Sequence, residues 1–222
     1  MARVLVALLL ALAAFPHGAE PPVTCHCFRA RTFDPARPGA ADPYILATTR
    51  SSLLSAAFGA EKGALVRAVM SGTSPDDLWI AHLAAARSGR AATALLDERE
   101  AKGSWKAALE GMATLPAALG AALARAAPDA DLAAVAIDEV LLSRLGTDPD
   151  SLAALRAARA RSDEAVLAAF LAPRLGTLPP QLLGRVRTGR ATWGTALRDA
   201  GLAPDGIDAA VRGAVAASAR AR

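Results

Sequence analysis

The sequence predicts an all-α protein, an array or bundle of about ten to twelve short helices with a degenerate internal repeat. Hydrophobic residues make up 53% of the 222 residues but aromatic residues only 4%, and alanine is abundant. Alanine has the highest helix propensity because it loses no side-chain entropy in a helix. Apolar residues recur at helical spacing, and glycine and proline separate the apolar segments at intervals typical of short helices. The sequence contains no convincing run of alternating β-branched residues that would predict a strand.

The N-terminus, residues 1–19, has the organisation of a secretory signal peptide. Arg3 supplies a positive charge, residues 4–14 form an apolar run, and Phe15-Pro16 ends that run before the small residues Gly18-Ala19. The run is shorter than the roughly 20 residues that a bilayer-spanning helix needs. We therefore expect a cleaved signal peptide and a periplasmic or extracellular mature protein with no transmembrane segment.

Residues 20–44 are predicted to form an extended arm, because five prolines interrupt them. Proline has no backbone N–H and pushes the preceding residue toward extended geometry. The arm carries both cysteines of the chain, in the sequence Cys25-His26-Cys27. Cleavage before Cys25, as in a lipoprotein, is the alternative to a soluble mature protein.

Cys25, His26 and Cys27 are the candidate metal ligands of this sequence. In an extended segment the two thiols project to one side and the imidazole to the other. Two thiolates can bind Cu(I) or share Zn(II), with further ligands from elsewhere. A disulfide between them has unfavourable geometry, but either thiol can pair with a partner in an oxidising compartment. A catalytic thiol, or no role, also stays open. No cofactor is expected, with Cu or Zn as the alternative.

Several segments place apolar residues on one helical face. The spacing of a buried face, 0, 3, 4 and 7, is clearest in Trp105, Ala108, Leu109 and Met112. The other stripes are Leu65, Val66, Val69 and Met70; Leu78, Trp79, His82 and Leu83; Ile137, Val140, Leu141 and Leu145; and Ile207, Val211 and Val215. Because His82 lies on an apolar stripe, we expect a core histidine, with a metal ligand as the alternative.

Helix-start signals recur at residues 72–78, 146–152 and, more weakly, 176–182. Each begins with glycine, which can end the previous helix in a left-handed conformation. Ser74 and Asp148 are predicted N-caps, and proline follows at the first helical position, where its missing N–H costs nothing. The aspartates in these segments are therefore interpreted mainly as cap and first-turn residues that favour the positive end of the helix dipole.

A second similarity suggests an internal duplication. Ser104-Trp105 follows Leu95-Leu96 as Thr192-Trp193 follows Leu182-Leu183, and in both a hydroxyl residue precedes a buried tryptophan. We predict two helical repeat units, residues 45–127 and 128–222. Helical pairs that repeat in this way stack into a solenoid-like array or a two-lobed domain, although a compact bundle stays possible.

The mature chain has a small positive charge that is unevenly distributed. Of 25 basic and 21 acidic residues, loss of Arg3 leaves 24 and 21, a net charge of +3. Eight arginines face four acids between residues 144 and 190. The arginines are Arg144, Arg156, Arg159, Arg161, Arg174, Arg185, Arg187 and Arg190, and the acids are Asp148, Asp150, Asp163 and Glu164. They indicate solvated helix faces or a basic surface for an acidic partner or an anionic membrane.

Residues 187–202 resemble the helix-turn-helix segment of resolvase-like DNA-binding proteins, in which a Trp-containing helix leads through a Gly-Leu turn to a recognition helix. The resemblance implies DNA binding by the helix that follows. Residues 207–217 contain few polar side chains for reading base edges, however, and the signal peptide directs the protein away from DNA. We therefore expect no nucleic-acid partner.

No hydrolase, metalloprotease, phosphate-loop or dinucleotide motif is present in the sequence. No catalytic residue is predicted. The sequence favours a non-enzymatic protein but does not decide whether the protein is an enzyme. We expect an exported binding or assembly module with a protein partner and an unknown oligomeric state. The alternatives are a thiol-redox or soft-metal-handling protein that uses Cys25-His26-Cys27, and the DNA-binding helix-turn-helix protein.

Overall fold

The computed structural model describes residues 28–220, and this part of the chain consists of helices and connecting turns without a strand. The predicted all-α fold is confirmed. The twelve α-helices within residues 28–220 are α1 Asp42–Phe58, α2 Lys62–Met70, α3 Pro75–Ser88, α4 Ala92–Lys102, α5 Trp105–Ala108, α6 Ala117–Ala124, α7 Asp129–Val140, α8 Pro149–Ala157, α9 Ser162–Leu171, α10 Pro179–Arg187, α11 Trp193–Asp199 and α12 Ile207–Arg220. A π-helical turn, Leu141–Leu145, continues α7, and 3₁₀ turns occur at Ala172–Leu175 and Pro204–Gly206.

The first helix begins at Asp42, earlier than the sequence predicted. The arm was expected to extend to residue 44, but Pro43 lies in the first turn of α1. Proline is tolerated there because the first backbone N–H groups of a helix have no intrahelical partner. Residues 28–41 contain no helix or strand. The predicted signal peptide, residues 1–19, and the cysteine-containing part of the arm lie outside the described residues.

The described part of the arm packs against α11. The guanidinium of Arg198 lies over the ring of Phe33, 4.9 Å from its centroid. The Thr192 hydroxyl, just before α11, donates a hydrogen bond to the Pro38 carbonyl at 3.0 Å. These contacts join residues far apart in sequence and fix the arm on the helical body.

The predicted helix caps form. Ser74 accepts a hydrogen bond from the backbone N–H of Asp76 at 3.2 Å, and Asp148 accepts one from Ser151 at 2.7 Å. Ser104 caps α5 in the same way, and Thr192 caps α11. Local start signals therefore define these helix boundaries, while the division into units 45–127 and 128–222 stays a prediction.

The core lies around α1 and α9. Every residue of α9 from Ala165 to Leu171 is buried, and small alanines let neighbouring helices approach it closely. α1 contacts α9, α11 and α12, and α3 packs against α4 and α7. Buried residues from both predicted units belong to one hydrophobic cluster.

The predicted apolar stripes mostly face this core. Trp79 and Trp105 are fully buried, as are Ile137 and Ile207. Met70 departs from its stripe and is 48% exposed. Among the described residues, no helix combines the length and apolarity needed to cross a bilayer.

Candidate functional site

Two adjoining clefts open at the N-terminus of α9, and their walls share Arg50, Arg161 and Asp163. The first cleft has a volume of about 520 Å³ and is bounded by α1, α3, α7, α8 and α9. The second has a volume of about 700 Å³ and lies between the arm, α1, α9, α10 and α11. Both volumes fall within the range of about 300–1,000 Å³ typical of ligand sites.

The N-termini of α3 and α9 meet in the wall of the first cleft. The Ser162 hydroxyl donates a hydrogen bond to the Asp76 carboxylate at 3.0 Å, across 86 residues of sequence. Burial raises the pKa of Asp76, while the Ser162 hydrogen bond and the charge of Arg50 lower it. Asp76 was interpreted from sequence only as a first-turn acid; the structure gives it a second role in joining two helices.

Two arginines of the first cleft are held by carboxylates. Arg156 makes a bidentate pair with Asp138, at 3.0 Å and 2.6 Å. Arg161 makes a bidentate pair with Asp163, at 3.1 Å and 2.7 Å, and the hydrogen bonds from this pair raise the pKa of Arg161. The Arg156–Asp138 pair is the less exposed of the two and the more firmly held, so it sets the shape of the wall.

Arg159 differs from these arginines. Within the part of the chain that the structure describes, its guanidinium makes no hydrogen bond or ion pair. Its φ of 52° lies in the left-handed region, which side chains other than glycine rarely occupy. Arg187 fixes the loop that carries Arg159. Its guanidinium donates hydrogen bonds to the Arg159 carbonyl at 3.0 Å and to the Glu164 carboxylate at 2.7 Å. A strained backbone thus presents an unpaired cation at the cleft.

Asp131 also lines the first cleft, and like Arg159 it is a charged residue without a partner among the described residues there. It is exposed in the first turn of α7, and its carboxylate has no hydrogen-bond or ion-pair partner among residues 28–220. The positive end of the α7 dipole favours its negative charge.

The second cleft is closed at one side by Asp42. Its carboxylate accepts hydrogen bonds from the backbone N–H groups of Trp193 and Gly194, at 3.1 Å and 2.8 Å. Burial raises the pKa of Asp42, and the two N–H groups lower it. Phe28 and Arg29 of the arm also line this cleft. The arm is therefore part of the wall of the second cleft.

The candidate metal ligands Cys25, His26 and Cys27 lie outside the described residues, and their metal role stays a prediction. Among residues 28–220, no group of three histidine, cysteine, aspartate or glutamate side chains is arranged to hold a metal ion. His82 lies half-buried in α3 and stacks on Phe58, with ring centroids 5.9 Å apart. Burial lowers the pKa of His82, as in a core histidine.

The arginines of the predicted basic segment, residues 144–190, fall into two groups in the structure, those with a protein partner and those without one among residues 28–220. Arg156, Arg174 and Arg187 hydrogen-bond to groups of other helices, while Arg161 pairs with Asp163 of the helix that follows it directly. Arg144, Arg159, Arg185 and Arg190 have no such partner within the described range. Of these four, Arg159 alone lines either of the two clefts.

The segment that resembles a helix-turn-helix is partly buried. α12, in the position of the recognition helix, packs Ile207 and Val211 into the core. Arg212, on its exposed side, pairs with Asp208 of the same helix. The outward face is otherwise mostly small, and it offers few groups that could read base edges.

Comparison of the chain with protein-family models, with characterised proteins and with solved structures finds no match.

Proposed function

We propose that the protein is an exported, non-enzymatic binding module that holds a peptide segment of a protein partner in the two adjoining clefts. The observation that carries the proposal is that the two clefts adjoin, because Arg50, Arg161 and Asp163 line both of them. An extended segment lying over these three residues would enter both clefts. The signal-like residues 1–19 support export.

The charges of the clefts favour a peptide over a polyanion. Five arginines line the two clefts, and so do five acids. The arginines are Arg29, Arg50, Arg156, Arg159 and Arg161, and the acids are Asp42, Asp76, Asp131, Asp163 and Glu164. Nucleic-acid binding depends on an excess of positive charge that neutralises phosphates. A surface with balanced donors and acceptors suits polypeptide, whose backbone offers both.

The walls are built before a partner arrives. The Asp76–Ser162 bond fixes α3 against α9, and the Arg156–Asp138 pair fixes α8 against α7. A preformed site loses less conformational entropy on binding than a flexible one. This rigidity supports a binding site rather than a catalytic site that depends on conformational change.

The proposal is tested by titrating the isotopically labelled mature protein with pools of blocked eight-residue peptides. We expect amide resonances of residues 74–76 and 159–163 to shift. Ala134→Trp, on the wall of the first cleft, should block those shifts by filling the space. Ala153→Trp, on the exposed side of α8, is the matched control and should leave them unchanged. Pools that shift no cleft resonance, or equal shifts in both variants, would overturn the proposal.

The alternative of a thiol-redox or soft-metal-handling protein that uses Cys25-His26-Cys27 stays a prediction. Its test is a count of free thiols and bound metal in the mature protein, purified without chelators or reductants. Stoichiometric Cu or Zn with protected thiols would support metal handling, and metal-free protein with oxidised cysteines would count against metal handling.

A further inference from the structure

We propose that the first cleft selects a segment that carries one carboxylate and one cationic group, with the carboxylate on Arg159 and the cation on Asp131. This inference rests on the proposed function, because it names the chemistry of the ligand for the same site. Both residues line the cleft of about 520 Å³, and neither is paired within residues 28–220.

The remaining charges of the cleft are already engaged. Arg156 is paired with Asp138, and Arg161 with Asp163. Asp76 accepts the Ser162 hydroxyl, and the charge of Arg50 acts on its carboxyl group. An incoming charged group therefore meets unoccupied partners only at Arg159 and Asp131 among the described residues that line this cleft.

Arg159 and Asp131 do not neutralise each other. They form no ion pair, so their charged atoms lie more than the 4.0 Å limit of a salt bridge apart. Asp131 lies in the first turn of α7 and Arg159 follows the C-terminus of α8, positions at which the helix dipoles favour their respective charges. Both charges are thus maintained without a partner, and a ligand with two opposite charges can bridge them.

The backbone holds Arg159 ready for such a contact. Its left-handed conformation costs free energy that a glycine would avoid, and Arg187 fixes the loop through the Arg159 carbonyl and the Glu164 carboxylate. Because the loop is fixed, little backbone entropy is lost when the Arg159 guanidinium binds a carboxylate, and the guanidinium can bind it in bidentate geometry.

The test measures affinity by calorimetry for four blocked eight-residue peptides of matched length: one with aspartate and lysine, one with aspartate only, one with lysine only, and one neutral. Free lysine and free glutamate form a further arm, which separates an amino-acid ligand from a peptide. We expect the mixed-charge peptide to bind about tenfold more tightly than the others, since charge-assisted hydrogen bonds are the strong ones.

Arg159→Asn should remove the preference for aspartate, and Asp131→Asn the preference for lysine. Asparagine tolerates the left-handed conformation, so Arg159→Asn should fold. Arg185→Gln and Asp150→Asn, which change exposed charges outside both clefts, are the matched controls and should keep the wild-type preference.

The inference is overturned if the four peptides bind equally, if neither cleft variant changes the preference, or if a free amino acid binds as tightly as the mixed peptide. Failure of every peptide to bind the wild-type protein would instead overturn the proposed function, so the two failures are distinguishable.

Discussion

The Asp42 carboxylate, at the first residue of α1, accepts a hydrogen bond from the backbone N–H of Gly194 at the start of α11. The same carboxylate also accepts the N–H of Trp193. Asp42 thus accepts two N–H groups of the first turn of α11, and the adjacent Thr192 hydroxyl accepts a third, from Thr195. The Asp42–Gly194 contact closes one side of the second cleft and joins the start of α1 to the start of α11, 152 residues further along the chain.

Gly194→Ala should destabilise the protein and loosen the arm. A Cβ at this position would overlap the Pro38 carbonyl oxygen and approach the Phe33 ring at 3.2 Å. We expect a loss of about 1–3 kcal/mol in the free energy of unfolding, because the arm backbone must shift. Urea unfolding followed by circular dichroism measures it. Gly184→Ala in α10, where a Cβ meets nothing within 4 Å, is the control and should be neutral or stabilising.

A second expectation is that Arg159→Gly stabilises the fold while weakening peptide binding. Glycine adopts a φ of 52° without steric cost, so the free energy of unfolding should rise by about 1 kcal/mol. Ala126, with a φ of 55°, occupies the same conformation away from the clefts. Ala126→Gly should therefore stabilise similarly and leave binding intact. Equal affinities for Arg159→Gly and wild type would contradict a binding role for this arginine.

Two buried tryptophans provide a matched test of one hydrogen bond. The indole N–H of Trp105 donates to Asp77 at 2.6 Å, whereas that of Trp79 has no hydrogen-bond partner within the described part of the chain. Both side chains are fully buried.

Trp105→Phe should therefore cost more stability than Trp79→Phe. Each variant loses a similar apolar area, but Trp105→Phe also leaves Asp77 without a donor, which costs about 1–3 kcal/mol more. Arg99 lies near the same carboxylate at 3.6 Å and can take up part of that loss. Thermal and urea unfolding of the two variants measure the difference, and equal losses would show that the bond contributes nothing net.

Local signals in the sequence predict much of the fold. Ser74 and Asp148 cap helices as expected because a cap depends on residues two or three positions away. The start of α1 was missed because Pro43 was taken to prevent a helix, although proline is accommodated in a first turn. The caps formed by neighbouring residues could thus be derived from sequence, while a cap supplied from a distant helix, such as that of Asp42 on α11, could not.

The candidate site was not predictable in the same way. Asp76 and Ser162 are 86 residues apart, and each has a sufficient local explanation at the start of its own helix. Among eight arginines in the basic segment, no local pattern distinguishes Arg159, which is unpaired in the first cleft, from Arg156, which is paired with Asp138. The site depends on which helix ends the tertiary packing brings together.

Stability should fall in mild acid because of His82. Burial against Phe58 lowers the pKa of His82, so below the ordinary histidine pKa of about 6.5 the unfolded chain binds a proton that the folded chain does not. The contribution of His82 to the free energy of unfolding is therefore fully present above about pH 6.5. It is lost as the pH falls from there through the folded-state pKa, and it stays constant below the folded-state pKa. The direction of the pKa shift sets the sign of this pH dependence.

His82→Gln should remove this part of the pH dependence, because glutamine does not titrate. Urea midpoints of wild type and variant, measured from pH 7.5 to pH 4.5, should converge as the pH falls, since only the wild type loses the histidine contribution. The other histidines, His17 and His26, are present in both proteins before processing and cancel in the comparison. A constant difference between the two midpoints across this range would mean that His82 has the same pKa folded and unfolded, and that its burial against Phe58 carries no titration cost.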